Sequence, residues 1–368
     1  MIPECEIQSE WRMLAMTQKW MIYGANGYTG ELIARTAVAQ GLKPILAGRR
    51  KVEIHTLANE LGLEVRVFSL DDPNQVVLGL REIDVVLHCA GPFSTTSAPM
   101  IEGCLAVGSH YLDITGEISV FEHAHEPKQA KRAADAGVVL CPGVGFDVIP
   151  TDCVALKLKE LLPNATHLSL GFDSDSGISP GTFKTMIQGL GGSSSERRDG
   201  IITEIQLGKR SRKIDFGRGP KNAMAIPWGD VSTAFHTTGI PNIDTWIPMP
   251  SYKIVGARSL KWFRPLLATS MIQQIMHKWV NRSVHGPDEL ARRNSPAYIW
   301  GEARNSDGET RTVRIQTANV YNLTVFGSLA VVSRLLDMKV SGGSYTPATL
   351  FGAELIEELP GSGKFQIF

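Results

Sequence analysis

One short run constrains the fold of this chain more than any other. It is GANGYTG, in which Gly24, Gly27 and Gly30 stand between an apolar run, WMIY (Trp20 to Tyr23), and a segment of helical composition that begins at Tyr28. Each glycine answers a different steric demand. Gly24 permits a tight turn, Gly27 lets the backbone approach an anionic group with no Cβ in the way, and Gly30 lets the strand and the following helix pack closely. The helix opens with N–H groups that have no carbonyl partner, and these suit phosphate oxygens. Gly24, Ala25, Asn26, Gly27, Tyr28, Thr29 and Gly30 are therefore a candidate cradle for the pyrophosphate of a dinucleotide. The bland alternative is a glycine turn in an α/β domain that binds nothing. Placement after the first strand of an alternating pattern favours binding.

That pattern continues. Six β-rich runs follow one another: WMIY, PILAG (Pro44 to Gly48), EVRVFSL (Glu64 to Leu70), DVVLHC (Asp84 to Cys89), HYLDI (His110 to Ile114) and VVLC (Val138 to Cys141). Between them lie segments rich in Ala, Leu, Glu, Lys and Gln, such as Tyr28 to Gln40 and Phe121 to Ala136. Strand and helix in alternation predict an α/β Rossmann domain with a parallel, doubly wound sheet. The chain has 368 residues, and at roughly 150 residues per domain that is room for a second unit. After a helix expected from about Pro150 to Leu162 the character changes. HLSLGFD (His167 to Asp173) alternates, and Gly, Ser and Pro become frequent. An inserted α+β domain is expected over 164–323, following a dinucleotide-binding domain over 1–163. Helices at Thr324 to Met338 and Thr346 to Leu359 would return to the first domain over 324–368. The most open stretch, Gly189 to Gly200, reads as a flap over a ligand or as a solvated surface loop.

About twenty residues beyond the glycine loop, an NAD site places a carboxylate on the ribose 2′-hydroxyl. Here the sequence is Ala47, Gly48, Arg49, Arg50, Lys51, with no acid. Three cations welcome a 2′-phosphate. Arg49 can meet it with a bidentate fork, with Arg50 alongside, so the expected cofactor is NADP(H). The competing reading is a basic start to an exposed helix.

Lys plus Arg and Asp plus Glu are 37 each, so the formal net charge is zero and bulk attraction to nucleic acid is not expected. The basic cluster Lys209, Arg210, Arg212 and Lys213 is interleaved with Asp199, Glu204 and Asp215, as on a solvated face. No run approaches the roughly 18 apolar residues of a membrane-spanning helix. Glu4, Glu6 and Glu10 are the wrong sign for a signal-peptide start. Five scattered cysteines, with no CxxC pair, argue against a zinc site or disulfide framework. The cytoplasm is the expected compartment. Over residues 259–283, Phe263, Leu267, Met271, Ile275 and Trp279 recur at four-residue spacing among Lys261, Arg264, Lys278 and Arg282. Such a helix suits peripheral membrane contact or a hydrophobic substrate pocket; packing on the core or at a homodimer interface is the alternative.

In doubly wound sheets ligands lie beyond the carboxyl ends of the strands. Three segments sit there: Cys89-Ala90-Gly91-Pro92-Phe93, Asp113-Ile114-Thr115-Gly116-Glu117, and Pro142 to Asp147. The first is the candidate wall beside the nicotinamide ribose. Alternation puts Tyr111, Asp113 and Thr115 on one side of their strand and His110 on the other. Asp113 and Glu117 are candidates to organise the site, with Asp147 near the substrate; all three also fit a role as helix cap or turn former. His236 and Tyr321 are further candidates, although a lone His or Tyr is more often a satisfied structural residue. Cys89 reads as packing rather than as a nucleophile.

GANGYTG, AGRR, CAGPF, HYLDITGE and PGVGFDVIPTD, in this order, resemble the NADP-binding domain of saccharopine dehydrogenase-like oxidoreductases over about residues 20 to 155. GPDEL, YIWGEARNSDGE and GGSYTPATLFGAELIEELPG resemble the branch that holds bacterial trans-acting enoyl reductases and the animal saccharopine dehydrogenase-like oxidoreductase. The resemblance implies a Rossmann domain completed by C-terminal helices around an inserted sheet domain. It also implies hydride transfer from NADPH to a C=C or C=N bond of a small or lipid-like acyl substrate. The rival is a scaffold that holds NADP(H) without turnover.

Overall fold

The computed structural model describes residues 19–176, 194–259, 269 and 287–368. The chain divides by packing into two units. Among the described residues, one takes those within 1–115, 123–145 and 325–345, and the other those within 116–122, 146–324 and 346–368. The division falls elsewhere than at 163/164 and 323/324. The helix at Ile149–Leu161 and residues 346–368 group with the second unit, and 325–345 group with the first.

The first unit is built on a seven-stranded sheet. Its strands β1 (Trp20–Tyr23), β2 (Ile45–Gly48), β3 (Val65–Val67), β4 (Val85–His88), β5 (His110–Asp113) and β6 (Val139–Cys141) are all parallel, in the order β6-β5-β4-β1-β2-β3. A two-residue strand, Gly343–Ser344, adds to β6 in parallel as the seventh. β1 and β4 are buried at every position, as expected of strands covered on both faces. Strand order reverses beside β1, which puts the ends of β1 and β4 at a topological switch point. Helices α1 (Tyr28–Ala39), α2 (Lys51–Leu61), α3 (Pro73–Gly79) and α4 (Phe93–Val107) carry the first crossovers. Met21, Val86, Met100, Ile101 and Leu140 are fully buried in the core.

The single helix expected over Phe121 to Ala136 is two, α5 (Ile118–Ala124) and α6 (Pro127–Asp135). Pro127 cannot donate a hydrogen bond within a helix and instead occupies the first turn of the second one. Gly343–Ser344 is too short to give a strand signal. It docks because Gly342 lies against the backbone at Ala133 and Gly137, where a Cβ would come within 2.5 Å of the Ala133 carbonyl oxygen.

The second unit holds α7 (Ile149–Leu161) and a nine-stranded mixed sheet. Its strands are β7 (His167–Ser174), β8 (Ser194–Arg198), β9 (Ile201–Ile205), β10 (Ser211–Asp215), β11 (Pro220–Ile226), β12 (Asn242–Pro248), β13 (Ala297–Arg304), β14 (Thr310–Thr317) and the short Gln366–Ile367. The main order is β10-β11-β12-β7-β13-β14 and then Gln366–Ile367, with β8 on β12 and β9 on β8. Helix α8 (Asp230–Thr238) precedes β12. α7 lies directly on the sheet: a Cβ on Gly301 would be 2.5 Å from Val154 and 2.7 Å from Leu158. On β10, Arg212 is stacked between Trp246 and Trp300 at 4.8 and 4.9 Å and pairs with Glu302.

Gly189–Ser193 lie outside the described residues, but Ser194–Arg198 form a strand rather than the expected flap or loop. Ser194, Glu196 and Arg197 are buried. The polar run misled because its charges are satisfied internally: Arg197 donates to Glu122, to the Val231 carbonyl and to the Gly200 carbonyl. Asp199-Gly200, both at positive φ, turn this strand into β9 as a hairpin. The helix expected over Thr346 to Leu359 is broken at Gly352 into Pro347–Phe351 and Leu355–Glu358. Phe263, Leu267, Met271, Ile275 and Trp279 lie outside the described residues. Among the described residues no helix is long and apolar enough to cross a membrane.

Candidate functional site

The glycine loop is built as its spacing demands. Gly24 adopts φ +84° and donates to the Ala47 carbonyl at 2.7 Å, which joins the end of β1 to β2. A Cβ on Gly24 would sit 2.8 Å from Ala90, so the loop after β4 presses directly on this turn. A Cβ on Gly30 would lie 2.5 Å from the Gly24 carbonyl oxygen. Gly27 differs: the nearest atom to its added Cβ is the Gly24 oxygen at 3.3 Å, and no other atom comes within 4 Å. A Cβ there would instead fill the open space in front of the helix. Gly27 caps α1 without a side chain, which leaves first-turn N–H groups for an outside acceptor. The loop therefore fits a pyrophosphate.

Arg49 and Arg50, adjacent in sequence, are placed differently. Arg50 pairs with Glu53 at 3.3 Å, and the Asn26 amide, turned with its oxygen toward the guanidinium, accepts from Nε at 2.9 Å and from Nη2. Arg50 thus tethers the end of β2 to the glycine loop. Arg49 is exposed and makes no ion pair among the described residues. Lys51, next but one along the chain, is exposed as well.

After β4, Cys89 donates its N–H to the Tyr23 carbonyl at 2.7 Å, the Gly91–Pro92 peptide is cis, and Pro92 caps α4 ahead of Phe93. Burial, and to a lesser degree Asp113, hold the Cys89 thiol well above its ordinary range, so the thiolate is suppressed. Asp113 is fully buried. Its carboxylate accepts from Tyr111 Oη at 2.6 Å, Thr115 N at 2.9 Å and Gly143 N at 2.8 Å, a clasp between the turns that follow β5 and β6.

Glu117 and Asp147 fall in the second unit. Glu117 opens α5, its carbonyl accepting from Val120 and Phe121. Gly116 leaves only 3.2 Å between an added Cβ and the Asp147 Cβ. Asp147 is half-buried as a residue, and burial raises its carboxyl to about 7. Two acids that the sequence did not single out lie deeper. Asp152 accepts from Thr237 and from Ala348 N at 2.8 Å; burial raises its carboxyl to about 6 against these bonds. Asp230 accepts from Thr151 at 2.6 Å through one oxygen, and Thr245 also faces the carboxyl. Burial first, then the nearby Asp152 and Asp147, raise Asp230 to about 8, with the Thr151 bond opposing. Their partners, Thr237 and Ala348 for Asp152 and Thr151 for Asp230, lie about 80 to 200 residues away, so no local sequence signal marks either acid. Among the described residues no acid, histidine or cysteine cluster could hold a metal ion.

His236 lies 3.8 Å from Glu122, which also accepts from Arg197 at 2.7 Å and Ser232 at 2.5 Å. Tyr321 is buried, its N–H donating to the Asn319 side chain. Within the basic cluster, Arg210 pairs with Glu196 and with Asp244 at 2.7 Å.

Residues 20–141 match the saccharopine dehydrogenase NADP binding domain family. They form a domain of that type, for NADP(H). The chain is 27% identical over 203 residues to the human saccharopine dehydrogenase-like oxidoreductase, covering 48% of this chain and 47% of that protein. It spans about half the length of the first curated relatives it matches. A trans-acting enoyl reductase of Mycobacterium bovis (strain BCG / Pasteur 1173P2) is 24% identical, covering 93% of this chain and 96% of the relative. Saccharopine dehydrogenase (L-Glu forming) from Saccharomyces cerevisiae superposes with a TM-score of 0.63 at 11% identity, over 95% of this chain and 100% of that one. That likeness is one of fold.

Proposed function

We propose that the protein is an NADP(H)-dependent oxidoreductase that reduces a C=C or C=N bond of a small or lipid-like substrate. The observation that carries this reading is the open glycine cradle with an unpaired Arg49 beside it, inside a domain matched to an NADP-binding family. Bound NADPH supplies the hydride. The opening turn of α1 binds the pyrophosphate, Arg49 meets the 2′-phosphate, and Arg50 with Asn26 keeps the two ends of this surface in register. Residues 89–93 wall the ribose side.

A C=N acceptor that is already an iminium needs no acid, whereas reduction of a conjugated C=C bond requires a proton. We assign the proton to Asp147, whose carboxyl, raised to about 7, retains one near neutrality. Asp113 and Glu117 act through the backbone turns they hold. The near full-length alignment with a trans-acting enoyl reductase supports the C=C acceptor over the C=N one. Among the described residues Cys89, Cys104, Cys141 and Cys153 form no disulfide, which suits a reducing compartment, and we place the protein in the cytoplasm.

The test follows NADPH consumption by the full chain against separate panels of enoyl esters and cyclic imines. NADPH deuterated at the transferable position should label the product carbon. Tight NADPH binding with no turnover on either panel would replace this reading with the scaffold.

A further inference from the structure

His88 is the last residue of β4 and is fully buried. Three aromatic rings fix its orientation: Phe93 edge-on at 5.4 Å, Tyr23 at 5.6 Å and Tyr111 at 6.2 Å. Its Nε2 lies 3.0 Å from the Thr96 hydroxyl, which in turn lies 2.7 Å from the Ala90 carbonyl and 3.0 Å from the Pro92 carbonyl. A hydroxyl has one proton, and carbonyl oxygens only accept. Thr96 therefore gives its proton to one of these carbonyls and must receive from His88. The ring is the Nε2–H tautomer. Its Nδ1 is then a bare acceptor, buried and without a partner.

A buried acceptor left unpaired costs stability, and an apolar side chain would fill the same space without that cost. What histidine adds is the donor at its far end. The target of that donor matters because of where Ala90 sits. A Cβ on Gly24 would touch Ala90 at 2.8 Å, so there is no slack between the loop after β4 and the turn of the glycine cradle. Movement of Ala90 by a few tenths of an ångström is felt at Gly24.

We propose that His88 is a positioning residue for the cofactor, acting through Thr96 to hold the Ala90 and Pro92 carbonyls and so to fix Ala90 against the Gly24 turn. The proposal rests on the NADP(H) reading of the glycine loop. Burial holds the imidazole neutral, down at about 3, so the donor keeps the same protonation across the physiological range.

The chemistry supplies a discriminating set of variants. A glutamine amide nitrogen reaches about as far as Nε2, whereas an asparagine amide reaches only the Nδ1 position, where no partner waits. Calorimetry with NADPH on the full chain should show His88→Gln within about threefold of the parent and His88→Asn about tenfold weaker, the loss of one ordinary hydrogen bond. Thr96→Val should weaken binding by the same factor, and the double variant His88→Asn/Thr96→Val should be no weaker than either single one. Nitrogen-15 NMR of the parent should show the Nε2–H tautomer from roughly pH 5 to pH 8. If His88→Asn does not fold, Thr96→Val carries the test, since it leaves the ring in place. Parent-like affinity in both His88→Asn and Thr96→Val, or an Nδ1–H tautomer, overturns the proposal and leaves the cofactor reading standing. A folded parent that binds neither NADPH nor NADP+ overturns the cofactor reading itself.

Discussion

Gly27→Ala and Gly30→Ala make the same chemical change three residues apart, and the structure predicts opposite consequences. At Gly27 the backbone is at φ −81°, ψ 159°, which alanine adopts freely, and the added Cβ meets only one atom, at 3.3 Å. Losing glycine as a helix cap costs about 0.5 kcal/mol, and the smaller entropy of the unfolded chain returns a similar amount. The fold should hardly notice. The cofactor should, because the Cβ occupies the approach of the pyrophosphate. Forfeiting two charge-assisted bonds at about 1.5–2 kcal/mol each comes to about 3–4 kcal/mol, a weakening of NADPH on the order of several hundredfold. At Gly30 the Cβ would stand 2.5 Å from a carbonyl oxygen and 3.0 Å from Ala25 Cα, neither of which can swing away. Overpacking of about 3 kcal/mol, less about 1 kcal/mol of helix propensity gained, leaves a net loss of about 2 kcal/mol, or about 4–8 °C in Tm. Calorimetry and thermal melting of the two variants side by side give the answer. NADPH binding to Gly27→Ala within about threefold of the parent would refute the placement of the pyrophosphate. A Tm loss in Gly27→Ala equal to that in Gly30→Ala would refute the distinction between close approach and close packing.

The two arginines should separate in the same way. Arg49→Asp is expected to reverse the NADPH over NADH preference, while Arg50→Ala, because Arg50 is tied to Asn26 and Glu53, should weaken both coenzymes together and leave their ratio alone. A changed ratio in Arg50→Ala exchanges the two roles. The Asp230 carboxyl, about 8 when folded against 3.8 as the reference value, keeps a proton that the unfolded chain releases. Its contribution is therefore fully present below about pH 4 and is lost as pH rises toward 8. Asp230→Asn should remove that share of the decline, so its Tm advantage over the parent grows from pH 5 to pH 8; parallel profiles would contradict it. Asp147 and Asp152 titrate in the same window, and the remaining slope belongs to the group of acids together. Gly301→Ala, whose Cβ would meet Val154 and Leu158 of α7, should lower Tm with NADPH affinity unchanged.

The nucleotide-binding half was legible because its determinants are local. A glycine at φ +84°, a helix that starts after a four-residue turn behind an apolar run, and a basic tripeptide after the second strand each leave a signature a few residues long. Asp113 was legible as a residue at the end of β5, but its three partners include Gly143, thirty positions away, and no spacing rule announces that bond. Asp230 and Asp152 stayed hidden for the same reason, since the burial that raises them comes from segments far along the chain. The strand Ser194–Arg198 shows the reverse error. SSERR looks like solvent-facing sequence, yet Arg197 is buried because Glu122 and two carbonyls neutralise it. The turn that closes the hairpin, Asp199-Gly200, was nevertheless a local signal. His88 reads as one more residue of an apolar strand, and only the distance to Thr96 makes it a donor.

The two-residue strand at Gly343–Ser344 has a consequence for biosynthesis. It covers the outer edge of β6, which ends at Cys141, so about 200 residues must leave the ribosome before that edge can close. At 5–20 residues per second this takes roughly 10–40 s, far longer than the local helices and turns need to form. Throughout that interval the apolar edge Val139–Cys141 has unsatisfied main-chain groups on one side, a template for pairing with another nascent copy. Yield in a cell should therefore respond to translation rate and to holdase chaperones more steeply than the stability of the finished protein would suggest.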